Sequence, residues 1–474
     1  MARFNTGKKL AQKTVNLAGG DAFVESPQLA LVSLLLTSFA NDQFYRSADQ
    51  TLSDLTSLVD AVPDKKFVGK AAIYARTKFG MRSITHAVAG ELASRIGGQE
   101  WAKDFFDKIV YRPDDMMEIL SYIYAKNGKE SNAIRKGFAK AFSRFDEYQL
   151  AKYKGEGKDV SLVDVANIVH PAHSTILKKL IEGKLRVPKT WETQLTQAGQ
   201  KAETEEEKDV LKAKAWKDLV EKKTIGYFAL LRNLRNILEQ APDLVKKATS
   251  MLVDKKLIKS SLVLPFRYLT AIDEIEHING NGTKDVLAAI SEAMDIATDN
   301  APEFPGTTLV ALDVSGSMSG RPREIGSLFA ALMFKKNNAD LMLFDNEATY
   351  VTLNPKDTTL TLGKIIHSEF RGGGTDFHSI FHEANRIYDR IIILSDMQAW
   401  VNGGEPTTSF AEYRKRLGAD PKIYSFDLQG YGPLQFPERN VFTIAGFSEK
   451  IFDVMKLLEQ DRDALIHEIE KIEL

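Results

Sequence analysis

The stretch TTLVALDVSGSMSG, residues 307–320, decides the fold of the second part of the chain. Its first half is a continuous apolar run, which is typical of a strand buried on both faces of a parallel sheet. Its second half places Asp313, Ser315 and Ser317 in a glycine-containing loop directly after that strand. Open parallel sheets bind ligands at the carboxyl ends of their strands. The stretch therefore predicts a polar site at one edge of a sheet.

The rest of residues 301–474 alternates apolar strands with amphipathic helices, which predicts a doubly wound α/β domain with a mostly parallel sheet. Two further polar loops adjoin these elements: GGGTD contains Thr375, and LSDM contains Asp396 at the end of a strand. If the strand order brings the three loops together, their oxygen atoms converge. The predicted site consists of Asp313, Ser315, Ser317, Thr375 and Asp396.

Two carboxylates and three hydroxyls form a hard, oxygen-only set of ligands. Mg²⁺, or alternatively Mn²⁺, prefers such ligands and usually keeps a position for water or an outside group. We therefore expect a divalent cation at this edge, able to accept a carboxylate from a partner protein. The alternative is that Ser315 and Ser317 only cap the following helix and that Asp396 is an ordinary polar residue at a strand end.

Catalytic interpretations of the same loops are weaker, so the sequence predicts that the protein is not an enzyme. A phosphate-binding loop needs a lysine beside serine or threonine after its glycines, and GSMSGRP has none. The glycine- and serine-containing pattern at 316–320 has Met318 at its centre and places the serine at the wrong residue for a nucleophile. Nearby histidines fall in helical patterns rather than at strand ends: His367, His378 and His382.

Residues 1–300 read almost wholly as amphipathic helices divided by glycine and proline. Their number and length indicate stacked helical hairpins of the repeat type. The segment DNAPEFPG, 299–306, is typical of a linker because it contains two prolines and a glycine. We therefore predict a helical domain over 1–300 and an α/β domain over 301–474.

The composition of the 474-residue chain is that of an ordinary globular protein, with 43% hydrophobic and 27% charged residues. It contains no cysteine, which excludes thiol catalysis and cysteine metal sites and fits the cytoplasm. We see no signal peptide, and the longest apolar run, residues 29–40, is too short to span a membrane. Basic residues exceed acidic ones in 1–300, so a polyanion would contact that part.

A cluster of basic residues within 126–158 is the candidate RNA-binding surface. Phosphates bind such clusters, and Tyr148 and Tyr153 lie nearby and could stack on bases. Helical spacing lets Lys136, Lys140 and Arg144 share one face. The alternative is a merely solvated surface, since acidic residues are interspersed. The candidate residues here are Arg135, Lys136, Lys140, Arg144, Lys152 and Lys154.

Two sets of motifs resemble known families. DVSGSM, GGGTD and LSDM resemble the metal-ion-dependent adhesion site of von Willebrand factor type A domains. Motifs of the first part resemble a TROVE domain: AIRKGFAKAF (133–142), AKYKGEGKD (151–159), NIVHP (167–171), TIGYFALLRNL (224–234) and LPFRYLTA (264–271). Together, and in this order, they resemble the layout of the Ro 60-kDa autoantigen family.

The resemblance implies a ring of HEAT-like helical repeats closed by the type A domain. It also implies binding of small structured Y-like RNA outside the ring and of single-stranded 3′ ends of misfolded RNA in the central hole. Function in RNA quality control or maturation, as a monomer and together with an exoribonuclease, follows from the same resemblance. The alternative is a metal-dependent protein-interaction module on a helical scaffold without an RNA role.

The resemblance also implies roles in RNA binding for three residues. Lys152 and His170 match a lysine and a histidine that contact Y RNA in the family, whereas the arginine of that set has no clear counterpart. Arg232, in ALLRNL, either lines the hole or is a buried arginine paired with an acid.

Overall fold

The computed structural model describes residues 13–15, 21–23, 27–37, 48–155, 157–187, 190–397, 406–428, 441–445, 451–460 and 464–474. Within this part of the chain, helices precede a mixed α/β domain, which confirms the predicted fold class. The expectation of helix throughout the first part misses a short antiparallel pair, β1 (Lys13–Val15) and β2 (Asp21–Phe23). Strands of three residues are too short to show an alternating pattern.

The first part is built from short amphipathic helices. In chain order its α-helices are α1 (Pro27–Thr37), α2 (Ala48–Ala61), α3 (Lys65–Lys78), α4 (Ser83–Ala93), α5 (Ala102–Lys108), α6 (Pro113–Ala125), α7 (Asn132–Phe142), α8 (Glu147–Lys152), α9 (Leu162–Val169), α10 (Thr175–Ile181), α11 (Trp191–Lys201), α12 (Glu205–Glu221), α13 (Tyr227–Arg232), α14 (Leu234–Gln240), α15 (Val245–Leu252), α16 (Lys255–Ser261), α17 (Leu269–Glu276) and α18 (Thr283–Ala297). Short 3₁₀ helices occupy Pro242–Leu244, Pro265–Tyr268 and Thr298–Asn300.

Local sequence explains where several of these helices begin and end. Ser161 accepts a hydrogen bond from the Asp164 N–H, while the Asp164 carboxylate accepts one from the Ser161 N–H, so a capping box starts α9. The same helix ends at Val169, and His170, the residue after it, has a left-handed φ of 50°. The highly charged helix α12 has Lys–acid pairs towards its ends but buries Trp216, Leu219 and Val220.

The α/β domain contains one six-stranded sheet in the order β5-β4-β3-β6-β7-β8, in which β5 alone is antiparallel to its neighbour. Its elements are β3 (Thr308–Asp313), a 3₁₀ turn (Gly316–Met318), α19 (Arg321–Asn337), β4 (Asp340–Phe344), β5 (Ala348–Val351), α20 (Thr359–Ser368), α21 (Phe377–Glu383), β6 (Arg390–Ser395), α22 (Pro406–Leu417), β7 (Lys422–Asp427), β8 (Val441–Ala445), α23 (Ile451–Gln460) and α24 (Ala464–Glu470).

The two central strands are buried along their whole length. All residues of β3 and of β6 are buried, and the strands pair in parallel with Leu312 opposite Leu394. Helices therefore cover both faces of the sheet, as continuous apolar strands require. This pairing places the carboxyl ends of β3 and β6, and the loops that follow them, side by side.

In the described part of the chain, the α/β domain contacts both the last and the first helices of the helical part. At one, Asp295 of α18 accepts a hydrogen bond of 2.7 Å from the Thr359 hydroxyl of α20. At the other, α24 packs against α3, and Lys70 Nζ donates to the Glu470 carbonyl at 2.6 Å. Helices from the beginning and from the end of the helical part therefore both contact the α/β domain. In the described residues, no helix is long and apolar enough to span a membrane.

Candidate metal centre and nucleic-acid interface

Three loops meet at the carboxyl ends of β3 and β6. The loop after β3 and the loop before α21 are joined by backbone bonds: Gly372 N–H donates to the Val314 carbonyl at 3.0 Å, and Gly316 N–H to the Gly373 carbonyl at 3.2 Å. A Cβ atom at position 373 would lie 2.7 Å from Oδ2 of Asp345, in the loop after β4. Glycine at this position therefore lets the loop before α21 also pack closely against that neighbouring loop.

The predicted ligands lie close to one another at this edge. Thr375 Oγ1 donates to Asp313 Oδ2 over 3.4 Å, and the hydroxyls of Ser315 and Ser317 are 3.2 Å apart. Asp396 directly follows β6, and Asp313 ends the neighbouring strand β3; both carboxylates are fully buried. The turn at Gly316–Met318 has no side-chain cap from Ser315, which argues against a capping role for that hydroxyl.

Burial, followed by repulsion from the Asp396 carboxylate, raises the pKa of Asp313 well above its ordinary value. Hydrogen bonds from Ser315 and Ser395 oppose the rise without cancelling it. No lysine, arginine or histidine in the described part of the chain forms an ion pair with Asp313. A divalent cation would relieve the repulsion between the two carboxylates, and it fits a donor set of carboxylates and hydroxyls.

Sequence reasoning missed one member of this cluster. The Ser395 hydroxyl is fully buried and donates to Asp313 Oδ2 at 2.6 Å. A serine within the apolar run RIIILS gives no signal of its own, because it reads as the last residue of a strand. Across the described residues, no group of three or more His, Cys, Asp or Glu side chains is arranged to hold a metal ion. The edge has two carboxylates and draws its other donors from hydroxyls.

The basic residues of α7, and Arg144 just after it, behave differently from one another. Arg135 pairs with Glu130 at 2.5 Å, while Lys140 Nζ lies 2.9 Å from Asp107 and Arg144 also pairs with Asp107. Arg144 further donates to the carbonyls of Asp107 and Val110 at the end of α5, each at 2.8 Å. Lys140 and Arg144 therefore hold α5 and α7 together. Their charges are already engaged within the fold.

Lys136 is exposed on the same helix, and within the described residues it has no ion pair. Lys152 is also exposed, with Nζ 5.9 Å from the ring centroid of Tyr148 and 5.6 Å from that of Tyr153. The guanidinium of Arg112 lies over the ring of Tyr153 as well, 4.2 Å from its centroid. Arg112, Tyr153, Lys152 and Tyr148 form an alternating series of cations and aromatic rings, which we call the cation–aromatic ladder.

The remaining predicted RNA contacts are at the surface. Lys154 is exposed and follows the ladder in sequence, and His170 is exposed at the left-handed end of α9. Arg232 is exposed too, which rules out the buried alternative. It lines a groove of about 370 Å³ together with Arg235 and Arg267.

Comparison with known proteins gives a consistent pattern. The TROVE domain model matches residues 29–182 and 182–314, and the Ro60 vWA domain model matches residues 307–458. The chain is 22% identical over 501 residues to RNA-binding protein RO60 of Deinococcus radiodurans, covering 93% of this chain and 94% of that protein. It is 23% identical over 352 residues to Telomerase protein component 1 of Mus musculus, covering 54% of this chain.

The chain spans only 13% of the length of Telomerase protein component 1. Among solved structures, the crystal structure of the Deinococcus radiodurans RO (RSR) protein superposes with a TM-score of 0.64 at 19% identity. The match covers 94% of this chain and 99% of that structure. Both parts of the chain and their order therefore match one known architecture.

Proposed function

Because the chain belongs to the TROVE domain family, we propose that it is an RNA-binding protein of the Ro type that acts by binding rather than by catalysis. The observation that carries the proposal is the joint match of both parts to RNA-binding protein RO60 along 93% of the chain. Small structured RNA of the Y type binds outside the helical part, and single-stranded 3′ ends of misfolded RNA bind in its opening. The protein works in the cytoplasm, in RNA maturation or quality control.

The charges of the helical part support this proposal. Lys136 and Lys152 are exposed, and Lys152 is placed by two tyrosine rings rather than by an acidic partner. Cations of this kind gain most from phosphate, because binding releases the counterions that phosphates hold. The rings of Tyr148 and Tyr153 add faces on which bases stack. His170 and Arg232 supply further contacts to structured RNA and to single strands respectively.

The sheet edge supplies a second interaction. Mg²⁺, or Mn²⁺, would be held by five residues: Asp313, Ser315, Ser317, Thr375 and Asp396. The Ser395 hydroxyl would help to orient Asp313 by donating a hydrogen bond to its Oδ2. A bound ion there supplies a coordination position for the carboxylate of a protein partner, an exoribonuclease being the expected class. The chain's own residues fix the three loops and exclude water from the two carboxylates.

A protein-interaction module without an RNA role is the second candidate, favoured by the same sheet edge. The two functions separate experimentally by the RNA that accompanies the protein. The full chain is crosslinked to RNA in its host, purified under denaturing conditions, and the bound RNA is sequenced. We expect enrichment of a few small structured RNAs and of 3′-extended transcripts, compared with a Lys136→Glu, Lys152→Glu control. Recovery of no RNA above background would favour the second candidate.

A further inference from the structure

A groove of about 640 Å³ opens between α10 and α11, away from the sheet edge. Its walls come from the end of α8, the start of α9, the end of α10 with the residues after it, and one face of α11. A volume of this size lies within the usual range of ligand sites, roughly 300–1,000 Å³. None of the contacts described above for structured RNA or for the metal centre occupies this groove, apart from Lys152 and Lys154 at its rim.

The α11 face in the groove is polar, and its one carboxylate, Glu192, lies in the first turn of the helix. The uncharged side chains of this face follow helical spacing: Thr193, Thr196, Gln197 and Gln200. The opposite face of α11 packs on α12, where the rings of Trp191 and Trp216 stack 6.3 Å apart. Amide and hydroxyl groups both donate and accept hydrogen bonds, so this face suits a ligand with uncharged donors and acceptors of its own.

The rest of the groove combines apolar walls with a basic rim. Ile181 is 50% exposed and Val187 is 60% exposed, so two large apolar side chains face solvent within one cavity. Lys152, Lys154 and Arg186 line the same groove, against one carboxylate, Glu192. The ligand that matches this surface is an anion with a flat apolar body and polar edges.

We propose that this groove binds unpaired nucleotides of RNA, with bases against Ile181 and Val187, base edges on Gln197 and Gln200, and phosphates at the basic rim. The inference rests on the proposed RNA-binding function and deepens it. Glutamine amides pair with base edges through one donor and one acceptor. Lys152 belongs both to the rim and to the cation–aromatic ladder, so a strand leaving the groove continues along Tyr153 and Tyr148.

The first test maps the site by crosslinking. The full chain is irradiated with a single-stranded RNA oligonucleotide containing 4-thiouridine, and the crosslinked peptides are identified by mass spectrometry. We expect crosslinks within residues 175–201. In the double variant Gln197→Glu, Gln200→Glu, the yield of these crosslinks should fall about tenfold or more, because two amides that hydrogen-bond base edges are replaced by carboxylates that cannot donate and that repel phosphate. Gln99→Glu, the same change at an exposed position outside the groove, should leave the yield unchanged.

The second test separates this inference from the function on which it rests. Binding of a blunt RNA hairpin is measured on the same proteins, and thermal unfolding checks that each variant folds. A hairpin affinity that changes less than twofold in the double variant, while its groove crosslinks disappear, supports the proposal. Hairpin binding without any groove crosslink overturns the groove and leaves the RNA function standing. Absence of both hairpin and oligonucleotide binding overturns the proposed function itself. An acidic peptide that displaces the oligonucleotide more strongly than unlabelled RNA overturns the choice of ligand.

Discussion

Two fully buried aspartates, one in each part of the molecule, have opposite surroundings. Asp115 at the start of α6 accepts hydrogen bonds from Arg76, with Nη2 2.9 Å from Oδ1, and it lies 2.8 Å from His86 Nε2. Its second oxygen also accepts the backbone N–H groups of Tyr111 and Arg112. Asp313 at the end of β3 instead lies beside Asp396 and receives only hydroxyls and one backbone N–H.

The pKa values of the two groups express the same contrast. Burial alone would raise both, but hydrogen bonds and charge from His86 and Arg76 outweigh burial and hold the pKa of Asp115 at about 2. Burial and Asp396 raise the pKa of Asp313. A buried carboxylate that the chain neutralises is part of the structure, whereas one left beside a second carboxylate favours an outside cation.

The largest expected effect is on stability at Asp115. Asp115→Asn leaves the buried Arg76 without its counter-charge, which should lower the free energy of unfolding by about 3–5 kcal/mol. Chemical denaturation followed by circular dichroism measures the change. Asp420→Asn, at an exposed aspartate paired with Arg414, is the matched control and should change it by about 0–1 kcal/mol. A loss below that of the control would contradict the structural role of Asp115.

Asp313→Asn should give the opposite result. In chelator, the free energy of unfolding should stay equal or rise, since a like charge beside Asp396 is removed. In Mg²⁺ or Mn²⁺ at about one hundred times its Kd, the unaltered protein should gain about 2.7 kcal/mol and the variant nothing. Thermal unfolding with and without metal measures both. If metal does not stabilise the unaltered protein against thermal unfolding, the proposed metal centre is wrong. Loss of RNA binding in the variant would show that the metal centre and the RNA-binding surface are coupled.

Acid should remove the contribution of Asp115. Its pKa is lowered in the folded protein, so the stabilisation is present above its unfolded pKa of 3.8 and is lost as pH falls towards about 2. The loss should be roughly 2.5 kcal/mol at 1.36 kcal/mol per pH unit. Denaturation curves between pH 5 and pH 2 measure it, with Asp115→Asn as the comparison. Parallel curves for the two proteins would contradict the assignment.

A similar contrast separates the lysines that form ion pairs within the fold from those that do not. Lys136→Ala with Lys152→Ala should weaken hairpin RNA binding and reduce the slope of log affinity against log salt by about 0.7–0.9 for each phosphate that is no longer bound. Adding Lys140→Ala should change the slope little, because Lys140 pairs with Asp107. Lys140→Ala with Arg144→Ala should instead lower the free energy of unfolding by about 1–2 kcal/mol. Equal slopes for the two pairs would show that ion pairing within the fold does not decide RNA contact.

His170 gives the smallest expected change. Because its φ of 50° is left-handed, His170→Gly should stabilise the protein by about 1 kcal/mol, whereas His170→Ser should not. Both remove the imidazole, so both should weaken binding of structured RNA more than binding of single-stranded ends. Affinities for a hairpin and for an oligonucleotide decide this. Equal losses for the two RNAs would argue against separate binding surfaces.

The sequence predicted the sheet edge well because few alternatives exist there. Continuous apolar runs indicate buried parallel strands, and the carboxyl ends of parallel strands lie at the same edge of a sheet. Asp313 and Asp396 therefore converge once β3 and β6 are neighbours, and only the strand order had to be learned from the structure. The exception is Ser395, since a hydroxyl inside an apolar strand carries no pattern of its own. The Asp115 cluster was not anticipated either, because Arg76 and His86 are distant from Asp115 in sequence.

The basic surface of the helical part was predicted less precisely. Lys136, Lys140 and Arg144 share helical spacing, but Asp107 lies on another helix and engages two of them. Whether a surface cation is available depends on such distant acids, which helical periodicity does not reveal. The groove beside α11 depends in the same way on how α10 and α11 are placed, and the threonines and glutamines of its α11 face give no distinct signal in the sequence.

The most direct measurement is the binding of a fluorescent RNA hairpin to the full chain across a range of salt concentrations, with and without chelator. A hairpin whose fold does not need divalent ions is used. We expect saturable binding whose affinity falls linearly with salt on logarithmic axes and is the same in chelator, because exposed cations of the helical part hold the RNA and the carboxylates of the sheet edge do not. The account would be contradicted if the hairpin did not bind at low salt. It would also be contradicted if binding disappeared in chelator and its affinity did not depend on salt concentration.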